Sequence, residues 1–230
     1  MNKYEIIKKI EQIAPPQTAE AWDCVGFMVE TEKQEVSKIM LCLTVTDDVI
    51  KQARQAGCDM IISHHPLFFV PNAWADIDIY SAHTNLDKAN GGTTDTLIKA
   101  LGLNSLSCEH EFLRIVNFEH GITVDDFSKK IKTISPNARL VNNKNVKTLK
   151  RIAFCAGSGS EFIKESKQLG ADCLVTGDLK FHTALDSDIV LYDVGHFESE
   201  ILVLPVLAEL ISPKVEIVFA QEKSPFSQII

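Results

Sequence analysis

The sequence predicts an α/β fold with mostly parallel sheets. Three observations predict it. Short apolar runs alternate with stretches of helical period, the alternation restarts midway, and polar clusters follow the apolar runs instead of interrupting them. With 45% hydrophobic and 23% charged residues over 230 positions, the chain has a globular composition and enough length for two cores.

Ile6, Ile7, Ile10 and Ile13 recur at helical spacing, so the chain opens with a helix, which Pro15 and Pro16 stop. Residues 38–44 read as a buried strand, 47–56 as a helix, 59–63 and 77–82 as strands, and 95–101 as a helix. The rhythm then restarts. Strands are expected at 112–118, 138–141, 151–156, 173–176, 189–193 and 215–220. Helices are expected at 124–134, 161–169, 181–186 and 198–211. Segments 38–63 and 151–176 share one layout, which points to two related α/β halves.

Charge adds to this division. The net charge of −8 is uneven: residues 1–104 carry 9 basic and 14 acidic side chains, 105–150 carry 8 and 5, and 151–230 carry 6 and 12. An acidic chain with scattered basic residues disfavours nucleic acid as a partner. The six cysteines form no CxxC pair, and those in apolar runs read as buried thiols of a reducing compartment. The absence of a signal-peptide core at 1–14 and of a long apolar run points to a cytoplasmic protein that does not cross a membrane.

In parallel α/β sheets, ligands bind beyond the carboxyl ends of strands. Four apolar runs here end in polar clusters: His64–His65–Pro66, His83–Thr84–Asn85–Leu86–Asp87, Gly177–Asp178 with His182 just beyond, and Gly195–His196 through Glu200. Five of the seven histidines belong to these ends. Pro66 keeps His65 extended, and His196 and Glu200 stand four apart, on one face if the helix expected from 198 starts a little earlier. His64, His65, Asp87, His196 and Glu200 thus supply three imidazoles and two carboxylates, a set suited to two divalent metal ions (zinc, manganese or iron) and water. No cysteine joins them, which argues against a closed structural zinc site.

Other residues surround this set. Asp23 reads as a turn or a pocket residue, and His83 as a ligand-orienting group or proton donor. Asp178 and His182 read either as substrate contacts or as helix caps. Lys88 and Lys180 are the cations nearest these motifs for an anionic substrate. Gly91–Gly92–Thr93–Thr94–Asp95 reads either as a helix N-terminus that holds an anion or as a start capped by Asp95. Gly157–Ser158–Gly159–Ser160 lacks the lysine of a phosphate-binding loop.

The motifs WDCVGF, ISHHP, AHTNLD, GADCLVTGDLKFH and DVGHFESE, with PF at 225–226, resemble the NIF-three-like family, a dinuclear metal-binding family labelled GTP cyclohydrolase I type 2 homologue. The resemblance runs from Trp22 to Glu200 and on to residue 226. It implies two interlinked α/β domains, 1–105 with 197–230 and 106–196, with no large inserted domain and a metal cleft at strand carboxyl ends. It implies the same five metal ligands. It also implies a homo-oligomer, a toroidal hexamer built as a trimer of dimers.

Two functions compete. The first is a metal-dependent hydrolase that uses a metal-bound water on a small molecule, with a nucleotide or phosphoester as candidate substrate. His83 and Asp178 would be its helpers, and Asp23, Lys180 and His182 its substrate contacts. The second is a non-catalytic metal-binding regulator or scaffold.

Overall fold

The computed structural model describes residues 1–104, 110–211 and 213–226; Cys108 lies outside them. In chain order the elements begin with α1 (Lys3–Ile13), β1 (Gly26–Val29), β2 (Lys38–Cys42), α2 (Asp47–Ala56), β3 (Met60–Ser63), β4 (Asp78–Ser81), α3 (Thr84–Lys88) and α4 (Thr93–Ala100). There follow β5 (Arg114–Thr123), α5 (Val124–Lys132), β6 (Arg139–Val141), β7 (Thr148–Phe154), α6 (Ile163–Gln168), β8 (Cys173–Thr176) and α7 (Phe181–Leu185). The last are β9 (Val190–Asp193), α8 (His196–Glu200), α9 (Leu204–Leu210) and β10 (Glu216–Phe219). They form two compact units, Met1–Gly92 with Val203–Lys223, and Thr93–Leu202 with Ser224–Ile230.

Each unit is built on a five-stranded sheet. The order is β1-β4-β3-β2-β10 in the first and β6-β9-β8-β7-β5 in the second. In both, three parallel strands form the centre and a short antiparallel strand closes one edge. The sheets differ at the other edge, where β10 runs parallel to β2 but β5 runs antiparallel to β7.

The likeness extends to single hydrogen bonds. After α2, Gly57 takes a left-handed φ of 68°, and Asp59 accepts from Ser37 N at 2.7 Å and Lys38 N at 3.1 Å. After α6, Gly170 takes a φ of 77°, and Asp172 accepts from Lys150 N at 2.8 Å and Arg151 N at 3.4 Å. The Gly–Cys–Asp and Gly–Ala–Asp turns therefore do the same work. Glycine admits the backbone reversal, and aspartate ties the incoming strand to the start of its neighbour.

Both central strand sets are mostly apolar and buried in their middles, as sheets covered on two faces require. In the second unit, Phe154, Cys173, Val175 and Tyr192 pack with Leu97, Leu101, Phe127 and Ile131 on one face. Ala153, Cys155, Leu174 and Leu191 pack with Ala171 and Leu179 on the other. In the first unit, Met40, Cys42, Ile61 and Ile79 bury against Val49, Ile50 and Ala53 of α2. Each large side chain buried this way contributes about 1.5–3 kcal/mol. Cys42 and Cys173 are fully buried, and burial pushes both thiols well above their ordinary range.

Two expectations are corrected. The helix expected over 198–211 is broken: α8 ends at Glu200, a tight turn covers Ile201–Val203, and α9 restarts with Pro205 in its first turn, where no N–H is needed. Asp95 is not an N-cap, because α4 begins at Thr93; its carboxylate accepts instead from Arg114 Nε at 3.2 Å. Strand β1 is too short and too little buried to stand out in the sequence, with Val29 the one buried residue of its four.

Candidate metal centre

In the first unit the polar ends of β3 and β4 lie side by side, because the two strands pair in parallel register from Met60↔Asp78 to Ser63↔Ser81. His64 and His65 leave β3 together, and His83 leaves β4. Backbone bonds hold the pair: His64 N donates to Cys42 O at 3.2 Å and His65 N to Leu43 O at 2.8 Å. The three imidazoles form a cluster, with ring centroids 5.1, 5.2 and 5.6 Å apart, and each offers a ligand nitrogen within 4.8 Å of the others.

Each ring of this cluster is held at Nδ1 by an oxygen. His64 Nδ1 lies 2.9 Å from Ala82 O, His65 Nδ1 2.7 Å from Thr44 Oγ1, and His83 Nδ1 2.9 Å from Asp23 Oδ1. A carbonyl only accepts, so His64 Nδ1 carries a proton, and Nε2 is the nitrogen left for a cation. That nitrogen stands 3.5 Å from Asp87 Oδ1, on the helix that follows His83.

Asp23 is a hub and not a plain turn residue. It accepts from the His83 ring, from Thr84 N at 3.1 Å and from the Thr84 hydroxyl. Burial pushes its carboxyl up, but the hydrogen bonds from Thr84 and His83 outweigh this and hold it below the ordinary value. Ionised Asp23 accepts from His83, so His83 Nδ1 carries a proton. Asn85 anchors the same turn: its Oδ1 accepts from His83 N at 2.9 Å, and its Nδ2 donates to Ala14 O at 2.7 Å.

In the second unit the ends of β8 and β9 are paired in the same way. His196 opens α8, so Glu200 follows one turn later, and Glu200 Oε2 meets His196 Nε2 at 3.0 Å. Asp178 Oδ2 lies 2.7 Å from His196 Nδ1. To reach it, Asp178 adopts a φ of 56°, a left-handed conformation that aspartate tolerates better than most residues. The hydrogen bond with Glu200, opposed by burial and helped by Asp178, lifts the His196 imidazole to about 9. Glu200 is only 3% exposed. Lys180 and His182 stand exposed at α7, at its N-cap and in its first turn; Lys88 pairs with Glu20 at 2.6 Å.

The Gly157–Ser158–Gly159 turn has a packing role. A Cβ at Gly157 would overlap Glu200 Oε1 and stand 3.5 Å from His196 Nε2. Thr44, Asn85 and Gly157 were not marked by the sequence as site residues. Their only signal is position, just beyond a strand or inside a motif.

The donor chemistry suits a divalent cation. Borderline imidazole nitrogens and hard carboxylate oxygens converge within each unit, and the rings are oriented through their second nitrogens, as metal-bound histidines are.

A two-unit α/β protein with histidine and carboxylate donors at parallel strand ends belongs to the class of α/β proteins that carry candidate metal-ligating sets. The chain belongs to the Duf34/NIF3 (NGG1p interacting factor 3) family, whose model matches residues 1–225. It is 34% identical to a GTP cyclohydrolase 1 type 2 homolog of Clostridium perfringens, covering 100% of both chains. It is 31% identical to the GTP cyclohydrolase 1 type 2 of Helicobacter pylori, covering 90% of each. Among solved structures, a Bacillus cereus protein related to NIF3 matches with a TM-score of 0.84 at 22% identity, covering 100% of this chain and 99% of that one. Reduced HcgD from Methanocaldococcus jannaschii matches at 0.83 and 27% identity, covering 96% and 98%.

Proposed function

We propose that the protein is a metal-dependent hydrolase of small molecules. In this reading His64, His65 and Asp87 of the first unit and His196 and Glu200 of the second are the ligands of two divalent ions. The observation that carries it is the cluster of His64, His65 and His83, each held at Nδ1 by an oxygen. A cluster built only for packing has no need of three oriented Nε2 atoms. When bound, the ions supply a Lewis acid and acidify water for attack near neutral pH.

The chain's own residues do the rest. Asp23 holds His83 at Nδ1, so His83 takes a proton at Nε2 from an attacking water and then passes it to a leaving group. Trp22 stands edge-on to His83, ring centroids 6.1 Å apart, and is largely exposed. It offers a flat apolar wall for an aromatic substrate ring. The names of the curated relatives make GTP the first substrate to try, ahead of a phosphoester panel. Lys180 and His182 are the substrate contacts to vary. The working assembly is a homohexamer in the cytoplasm; among the described residues no helix is long and apolar enough to cross a membrane.

The test loads the protein with zinc, manganese or iron and measures metal content and turnover for wild type and His65→Ala. Two ions per chain, and turnover that His65→Ala abolishes, is the expected result. Two ions with no turnover under any metal would overturn the hydrolase and leave a metal-binding regulator.

A further inference from the structure

Glu222 lies three residues beyond β10 and far along the chain from His64 and His65, yet it reaches the turn that follows β2. Its carboxylate accepts from two successive amides, Leu43 N at 2.7 Å and Thr44 N at 2.9 Å. The two residues that lead into Glu222 are themselves fixed. Ala220 N donates to Leu41 O at 2.9 Å, and Gln221 exchanges two hydrogen bonds with the Gln52 side chain, at 2.8 and 3.3 Å.

The two residues that Glu222 holds are the two that hold His65. Leu43 O accepts from His65 N at 2.8 Å, and Thr44 Oγ1 lies 2.7 Å from His65 Nδ1. One carboxylate therefore sets both the backbone and the ring of this histidine. A neutral imidazole that binds a cation through Nε2 carries its proton on Nδ1, and the Thr44 hydroxyl is then the acceptor.

We propose that Glu222 and Thr44 are positioning residues for His65, forming a relay from the end of the chain that aims His65 Nε2 at its metal ion. The proposal rests on the metal reading above and deepens it. Neither residue touches the ion. Glu222 acts through the Leu43 and Thr44 amides, and Thr44 acts through the ring.

Thr44→Val keeps the side-chain shape and removes the oxygen, whereas Thr44→Ser keeps the oxygen. Glu222→Gln keeps the length but turns an NH2 group towards one of the two amides. Two readouts separate orientation from plain loop stability. One is the ¹⁵N shift of the His65 ring nitrogens in metal-free protein. The other is zinc affinity by calorimetry, on the full-length chain.

The expected result is a changed His65 ring signal and an affinity loss of about 10- to 100-fold for one zinc ion in Thr44→Val and Glu222→Gln. Thr44→Ser is expected to restore both. Zinc binding within twofold of wild type in Thr44→Val and Glu222→Gln would overturn the relay and leave the metal reading standing. A wild type that takes up no zinc, manganese or iron would overturn the metal reading and the relay with it. Equal losses in Thr44→Ser and Thr44→Val would reduce Thr44 to a packing role and also overturn the relay.

Discussion

Gly157 lies directly against the carboxylate of Glu200: any Cβ at this position would overlap Oε1. The backbone there has a φ of 66°, which a side chain disfavours. Glycine is thus required twice, for the turn and for the close approach. Gly157→Ala is expected to cost about 1–3 kcal/mol in strain and to displace Glu200. Thermal unfolding reads the first effect. Metal titration reads the second, as an affinity loss of about tenfold or more.

The His196–Glu200 pair makes metal uptake depend on pH. With its imidazole lifted to about 9, His196 is protonated at neutral pH in the metal-free protein. A metal ion at Nε2 has to displace that proton. Calorimetry in two buffers of different ionisation heat should show about one proton released per chain near pH 7.5 from this site. Affinity should fall as pH drops below 9, by up to about tenfold per unit. For metal-free stability the sign is the reverse. The raised value means that the pair's contribution is complete below about 6.5 and is lost as pH rises through about 9.

Asp178 should tune this behaviour. Asp178→Asn keeps a residue that tolerates the left-handed backbone but removes the charge on His196 Nδ1. The His196 titration, followed by NMR, should shift down from about 9. Metal affinity should drop about tenfold. An unchanged titration would remove Asp178 from the site.

Lys3 and Asp78 form a fully buried pair at 3.3 Å, and Lys3 also donates to Thr31 O at 2.6 Å. Lys3→Ala strands a buried carboxylate, with an expected loss of about 3–5 kcal/mol in denaturant unfolding. Lys3→Ala together with Asp78→Asn should recover part of that loss. Equal stability of wild type and Lys3→Ala would contradict the burial of the pair.

Much of the protein was legible along the chain, for definite reasons. The short runs KIMLC, MIIS, CLVT and VLYD are strands because a sheet covered on both faces buries such runs almost entirely. His64, His65, His83 and His196 were marked because parallel strands end where ligands gather. The i, i+4 spacing placed His196 and Glu200 on one helical turn.

Other features needed the folded chain. Local pattern, although Pro205 disfavours one continuous helix, did not place the break at Ile201–Val203. Nor did it show that Asp23 would be shared by His83 and Thr84, or that Glu222 would close on Leu43 and Thr44. These contacts join residues about 60 and 180 positions apart, and a hydrogen bond at such range depends on the packing of strands and turns. The sequence by itself settled which side chains have the chemistry to bind a cation. Tertiary structure decided which nitrogen each histidine presents, because the partner at Nδ1 is supplied by another part of the chain.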